Sequence, residues 1–211
     1  MGKRFFNSFV KITGLPFALL FLRFRCFYED KDAQGCRIKG PAIIVSNHTS
    51  VWDYGIMLFL FFFRTIRVQA AEVLYRKRLL AFFLNRMGAI YVNRQSCDYA
   101  FLDQSEDVLK KGGVLCIFPE GRIPKEDETP PLEFTSSFVR IALETGVRII
   151  PVYTDGRYFG KGPASVVIGK RIDASSLIDE SKGPKENLDA ISGYVREKVM
   201  GLKEYIGEKG Y

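Results

Sequence analysis

Short apolar runs punctuate this chain, and their length leaves few folds open. Pro41–Ser46 reads PAIIVS, too short for a helix and rich in β-branched residues, as a buried strand requires. Strand signals recur at Ile66–Ala71, Ile90–Asn93, Val114–Phe118, Val147–Tyr153 and Ala164–Ile168. Between them the pattern turns helical over Asp53–Phe63, Leu79–Met87, Asp98–Lys111 and Glu133–Thr145, with a last helix over Asn187–Ile206. Gly112, Gly113 and Gly146 stop two of these helices. Strands alternating with helices predict an α/β fold: a single domain with a mostly parallel mixed sheet flanked by helices. In such sheets the working residues sit just past the carboxyl ends of the strands. The chain shows no internal repeat and no low-complexity tract.

With 211 residues, 47% hydrophobic and 26% charged, the chain has the size and composition of one domain with a real core. Disorder, collagen, coiled coil and disulfide scaffolds are excluded. Its formal charge of +7 is unevenly spread: residues 1–94 hold 15 Lys and Arg against 5 acids, residues 95–211 hold 16 against 19. The basic half also carries most of the aromatic and apolar runs. That combination suits an anionic membrane surface better than a nucleic-acid groove, and no nucleic-acid partner is expected. Residues 1–28 show it best, with Lys3, Arg4, Lys11, Arg23 and Arg25 and no acid.

Neither Ile12–Leu22 nor Tyr54–Phe63 reaches the roughly 20 residues of a membrane span, and no small-residue cleavage site marks a signal peptide. Residues 1–28 are therefore expected to form a membrane-binding helical pair, Phe5–Ile12 and Pro16–Tyr28, broken at Thr13 and Gly14. A segment of this kind would precede an α/β domain at 29–211 and hold the protein on the cytoplasmic face of the cell membrane, peripheral or monotopic. The plain alternative is a helix packed on the core. Cys26, Cys36, Cys97 and Cys116 lack CxxC spacing and the chain has a single histidine, so no zinc site is expected. The thiols read as reduced, with Cys116 as core filler.

Three expected strand ends carry unusual residues: SNHTSVWD from Ser46, NR at Asn93 and PEGR from Pro119. Convergence would set His48, Asp53, Arg94, Glu120 and Arg122 on one rim. His48 is the only imidazole available as a general base, and Asp53, across a loop-to-helix junction, can fix its tautomer. Such a pair activates a hydroxyl without any enzyme nucleophile. Helix initiation explains the same residues differently, since Ser50 and Asp53 form an S-x-x-D capping box. Arg94 and Arg122 suit bidentate contact with a phosphate, or are solvated surface charges. Glu120, between Pro119 and Gly121, is a site residue or a partner for one of those arginines.

Four blocks in order resemble the glycerolipid acyltransferase family, which includes the lysophosphatidate acyltransferases. They are NHTSVWD at 47–53, carrying the H-x4-D motif, GAIYVNR at 88–94, FPEGR at 118–122 and IPVYTDG at 150–156. The resemblance implies transfer of a fatty acyl group from a thioester, acyl-CoA or acyl carrier protein, to the free sn-2 hydroxyl of 1-acylglycerol 3-phosphate, giving phosphatidic acid. It implies that His48 deprotonates the acceptor and Asp53 orients the imidazole, while Arg94, Glu120, Gly121 and Arg122 hold the acceptor's phosphate and glycerol. No metal or bound cofactor is implied. Two departures stand out. The family's third block usually reads FPEGTRS, whereas Arg122 here follows Gly121 directly, and Phe134 to Ser137 stand where the family often has Lys and Gly. Another lysophospholipid, glycerol 3-phosphate, or a non-catalytic role in binding anionic lipid remain as alternatives.

Overall fold

The computed structural model describes residues 2–94, 99–125, 127–128, 130–160 and 162–207. Its strands are β1 (Phe24–Tyr28), β2 (Ala42–Ser46), β3 (Ile66–Ala71), β4 (Ile90–Val92), β5 (Val114–Ile117), β6 (Ile149–Thr154) and β7 (Ala164–Ile168). They form one sheet in the order β1-β7-β6-β2-β5-β3-β4. Every pairing is parallel except β6 with β7. This is the mostly parallel mixed sheet that the alternating pattern predicts.

The helices are α1 (Lys3–Phe21), α2 (Asp53–Leu60), α3 (Arg78–Met87), α4 (Ala100–Lys110), α5 (Ser137–Thr145) and α6 (Pro184–Gly201). Successive residues of β2 point to opposite faces, so each face acquires its own core. Ile43 and Val45 pack with Leu102 of α4, Phe138 of α5 and Val195 of α6. Ala42 and Ile44 pack with Ala18 of α1, Ile56 of α2 and Met87 of α3. Burial of each large aliphatic side chain contributes about 1.5–3 kcal/mol. Because β2 is buried along its whole length, it carries no alternation in sequence.

Register sets the rim. Val45 lies level with Ile117 of β5 and Pro151 of β6, so these strands end at one edge. There, the residues after β2, β5 and β6 meet. Ala71 of β3 is level with Val92 of β4, which brings Glu72 beside Arg94.

The N-terminal region differs from the expected helical pair. Lys3–Phe21 is one helix, and Phe24–Tyr28 is an edge strand parallel to β7. Phe24, Phe27 and Tyr28 have helical spacing, and only the distant β7 reveals them as a strand. Gly14 does not break α1. A Cβ there would lie 3.1 Å from the ring of Phe59, so the glycine is where α1 and α2 approach closely. Pro16 is accommodated within α1 at the loss of one backbone hydrogen bond.

The helix α1 is inside out for a helix in water. Asn7 and Lys11 are buried, whereas Phe5, Phe9, Ile12, Leu19 and Leu20 are each more than half exposed. The Lys11 ammonium donates to the carbonyls of Phe61 (3.2 Å), Phe62 (3.0 Å) and Arg64 (2.5 Å) just beyond α2. Carbonyls at a helix C-terminus lack intrahelical partners and favour a cation. Burial nevertheless lowers the Lys11 pKa to about 8. Among the described residues no helix is long and apolar enough to cross a membrane.

Two further boundaries differ from expectation. The helix expected from Glu133 begins at Ser137, because the N–H and hydroxyl of Thr135 both donate to the Pro119 carbonyl and hold that segment against the end of β5. The last helix starts at Pro184, which suits a first turn, and gives way to a 3-10 turn over Leu202–Tyr205. Cys116 is fully buried as core filler, and Cys26 and Cys36 are also free thiols. Cys97 and Asp98 lie outside the described residues.

Candidate functional site

The loop joining β2 to α2 is fastened at both ends. Asn47 clasps Thr154 at the end of β6: its Oδ1 accepts from the Thr154 N–H and its Nδ2 donates to the Thr154 carbonyl, both at 2.9 Å. At the far end sits Asp53, the first residue of α2 and fully buried. Its Oδ2 accepts from the backbone N–H groups of Thr49 (2.7 Å) and Ser50 (2.8 Å). Both donors precede α2, whose N-cap is Trp52 with no side-chain cap bond, so Asp53 braces the loop before the helix instead of capping it as S-x-x-D suggests. The Ser50 hydroxyl accepts a longer bond from the Trp52 N–H at 3.3 Å.

The same Oδ2 lies 2.8 Å from Nδ1 of His48. Bracing of the loop and orientation of the imidazole are therefore one arrangement. An acceptor-only carboxylate assigns the proton to Nδ1 and leaves the Nε2 lone pair available. The His48 ring stacks on Phe118 with centroids 4.5 Å apart and planes at 21°, and its side chain is 19% exposed. The ring thus has a fixed plane and partial access to solvent.

Oδ1 of Asp53 accepts from the Thr49 hydroxyl (2.9 Å) and the Tyr158 hydroxyl (2.6 Å). Tyr158 escapes a reading of the sequence because it lies just past the fourth block, in a loop without periodicity. Burial, followed by the Asp53 charge, pushes the Tyr158 phenol up, which keeps it a donor. Gly156 belongs to the same contact. Its φ is +69°, and a Cβ would lie 2.6 Å from Thr49 Oγ1, so the backbone after β6 rests directly on the His48 loop.

Glu120, at the end of β5, is 7% exposed. Its oxygens accept the N–H groups of His48 (2.7 Å) and Leu132 (2.9 Å). Burial raises its pKa and these two bonds oppose the shift. It is not the partner of either arginine. Gly121 turns the chain at φ +71° and donates its N–H to Phe118 O at 3.0 Å. Its carbonyl accepts from Arg94 Nη1 at 2.8 Å. Arg94 also meets Glu72 through Nε (3.3 Å) and Nη2 (3.4 Å). Arg122 is held bidentately by Glu128 at 2.5 and 2.6 Å, which draws the Glu128 pKa down to about 2.

The rim thus joins His48, Asp53, Glu120, Gly121 and Arg94 by direct or shared contacts. Arg122 instead turns toward the loop that follows. Among the described residues no group of three or more His, Cys, Asp or Glu is placed to hold a metal ion. What the geometry can do is accept a proton from a hydroxyl at Nε2 and return it to a leaving group.

A family model described as Acyltransferase matches residues 26–155. Among curated relatives, 1-acyl-sn-glycerol-3-phosphate acyltransferase beta of Homo sapiens is 26% identical over 171 residues, covering 73% of this chain and 60% of that protein. The 1-acyl-sn-glycerol-3-phosphate acyltransferase of Pseudomonas aeruginosa is 30% identical over 160 residues, covering 69% and 57%. The chloroplastic enzyme of that name from Brassica napus is 26% identical over 218 residues, covering 86% and 62%. This chain therefore spans about 60% of the length of these relatives. The crystal structure of the 1-acyl-sn-glycerophosphate (LPA) acyltransferase PlsC from Thermotoga maritima superposes with a TM-score of 0.68 at 21% identity, covering 99% of this chain and 83% of that one. That likeness shows a common fold.

Proposed function

Since this chain belongs to the acyltransferase family, we propose that it moves a fatty acyl group from an acyl thioester to the free sn-2 hydroxyl of 1-acylglycerol 3-phosphate, forming phosphatidic acid. The observation that carries this reading is the His48–Asp53 pair, 2.8 Å apart at the carboxyl edge of the sheet. Nε2 of His48 accepts the acceptor's hydroxyl proton as its oxygen adds to the thioester carbonyl carbon. Asp53 steadies the imidazolium on the Nδ1 side. Collapse of the tetrahedral adduct expels the thiolate, which recovers the proton from His48. General-base assistance of this kind supplies roughly 100- to 10,000-fold in rate. Acyl-CoA and acyl carrier protein offer the same thioester, so either serves as donor in this scheme.

The names of the relatives support lysophosphatidate as acceptor. Arg94, Gly121 and Arg122 are assigned to its phosphate and glycerol. Glu120 is assigned to bracing the His48 loop, because backbone donors already occupy both of its oxygens.

The inverted α1 supports a monotopic position on the cytoplasmic face of an anionic membrane. Apolar side chains left in water cost about 25 cal/mol per Å², and α1 exposes them while burying Lys11. Rings then lead from this helix toward the site: Phe17 stacks on Trp52 at 5.8 Å, and Trp52 meets Phe159 edge-on at 5.1 Å. Lys3, Arg4, Arg76, Lys77 and Arg78 add positive charge for anionic headgroups.

The test offers palmitoyl and oleoyl donors, as CoA and carrier-protein thioesters, to purified wild type and His48→Ala against a panel of lysophospholipids. Transfer to lysophosphatidate should fall at least ~100-fold in the variant. No transfer by wild type, with lipid binding intact, would replace the reading with a non-catalytic lipid binder. For the membrane face, Phe9→Asp with Leu19→Asp and Leu20→Asp should reduce co-sedimentation with anionic vesicles. Deleting residues 1–28 is the poorer probe because it strips β1 from the sheet.

A further inference from the structure

We infer that Tyr158 is a positioning residue for the His48–Asp53 pair, and that the segment from Thr154 to Tyr158 exists in its present form to hold that pair. The kinetic part of this inference rests on the acyl-transfer reading; the structural part does not.

Asp53 accepts hydrogen bonds from His48 Nδ1, the backbone of Thr49 and Ser50, and the Thr49 and Tyr158 hydroxyls. All but the last come from residues 48–50 and move with the loop they belong to. Tyr158 arrives from beyond β6, on a different part of the fold. A carboxylate turns readily about its last torsion. Loop donors alone would let the loop and carboxylate shift together, whereas a donor anchored elsewhere fixes both against the sheet.

The donor is itself directed. A phenol has one hydroxyl hydrogen, and Tyr158 directs it to Asp53 Oδ1 at 2.6 Å. The Thr154 hydroxyl, 2.6 Å from the Tyr158 oxygen, must then donate to Tyr158. Thr154 Oγ1 in turn accepts from the Gly156 N–H at 3.3 Å. A polarised chain therefore runs from Gly156 through Thr154 and Tyr158 to Asp53, each bond strengthening the next, and ends there, because His48 Nδ1 donates to the same carboxylate from the other side. Thr154 is fully buried and is also the residue clasped by Asn47. The loop follows an unusual path to make these contacts: Phe159, directly after Tyr158, has φ +61°, the one non-glycine with positive φ among the described residues. Such a conformation persists where surrounding contacts determine it, and here the Tyr158 bonds and the Phe159–Trp52 ring contact do so.

Tyr158→Phe tests this, because it keeps the ring and removes only the hydroxyl. His48 is the only histidine in the chain, so selective ¹⁵N labelling of histidine yields one pair of ring-nitrogen signals without assignment. The neutral imidazole of the wild type should show a protonated Nδ1 and an unprotonated Nε2. In Tyr158→Phe the pair should keep its Nδ1 proton but lose its tie to the sheet, so the His48 ring-nitrogen signals should shift and broaden, with kcat lowered about tenfold and the KM of both substrates changed little, the effect of one hydrogen bond on rate. Thr154→Val should shift both readings the same way by less, and it decides the matter if Tyr158→Phe does not fold. Unchanged ring-nitrogen signals and kcat in a folded Tyr158→Phe would overturn the inference. If wild type transfers no acyl group at all, the acyl-transfer reading fails while the NMR comparison still judges the positioning role.

Discussion

The two halves of the rim are built on opposite terms. Around Asp53, itself fully buried, the contacts come from backbone N–H groups, the Thr49 hydroxyl, a stacked imidazole and an inserted phenol. Around Arg94 and Arg122 the side chains are over one third exposed, and their partners Glu72 and Glu128 are themselves partly exposed. The difference matches the roles proposed for the two halves. Groups that stabilise charge developing during a reaction work best when already oriented, since no reorganisation is needed at that moment. Groups that hold an anionic acceptor must release it again, and exposed ion pairs contribute little to stability and exchange easily.

That contrast can be broken most decisively at Asp53. In Asp53→Asn an amide NH2 would have to face N–H donors or the phenol, and His48 would lose its tautomer. kcat should drop ~100-fold or more, and urea denaturation should show a loss of about 1–3 kcal/mol from buried donors left unpaired. Wild-type activity in a folded Asp53→Asn protein would end the idea of a locked half. Arg122→Ala comes next: steady-state kinetics should show the acceptor KM rising roughly tenfold at nearly constant kcat, as for one charge-assisted contact. A fall in kcat alone would move Arg122 out of the binding half.

Glu128→Gln should have a smaller effect of opposite sign, lowering the acceptor KM about two- to threefold by freeing Arg122 from competition. Because Arg122 holds the Glu128 pKa near 2, Glu128 competes as an anion throughout the neutral range, and the gain should not vary between pH 6 and 8, roughly. A raised KM would make the pair a support for the loop instead. Lys11 extends the locked kind of charge to a site away from the rim, and its effect is the subtlest. Its folded pKa of about 8 lies below the unfolded value of 10.5. Between those values the unfolded chain binds the proton that the folded chain has released, so this group makes stability rise with pH through that window. Urea unfolding at about pH 7 and about pH 9.5 should show a larger gain in wild type than in Lys11→Met. Equal slopes would mean that Lys11 is not desolvated as the fold suggests.

Much of this is legible in the sequence, and what is not has specific causes. β3 and β7 can be read residue for residue because their apolar runs are bounded by turns or charges. His48 and Asp53 are legible as a pair, but the cap that S-x-x-D suggests does not form, and the same Oδ2 instead braces the loop and meets the imidazole. Phe24–Tyr28 misleads because a strand at the edge of a sheet needs its neighbour, and β7 lies far along the chain. Glu120 can be placed at the rim, but its bonds to the His48 and Leu132 backbones are not deducible from its own neighbours in sequence. Tyr158 gives no signal at all. A loop tyrosine is usually an ordinary surface residue, and the meaning of this one lies in a hydroxyl contact across the end of the sheet.

By itself, then, the sequence determined the layered α/β architecture, the carboxyl edge as the place where the candidate residues meet, and the one imidazole that the proposed mechanism can use. Each of these follows from periodicity or from a residue type that occurs once, properties that local chain geometry carries. The tertiary structure alone decided which face of α1 points outward, which carboxylates the arginines meet, and which residue fastens Asp53 from across the fold. Those outcomes depend on strand register and long-range hydrogen bonds, whose partners are far apart in sequence and become neighbours only when the sheet is complete.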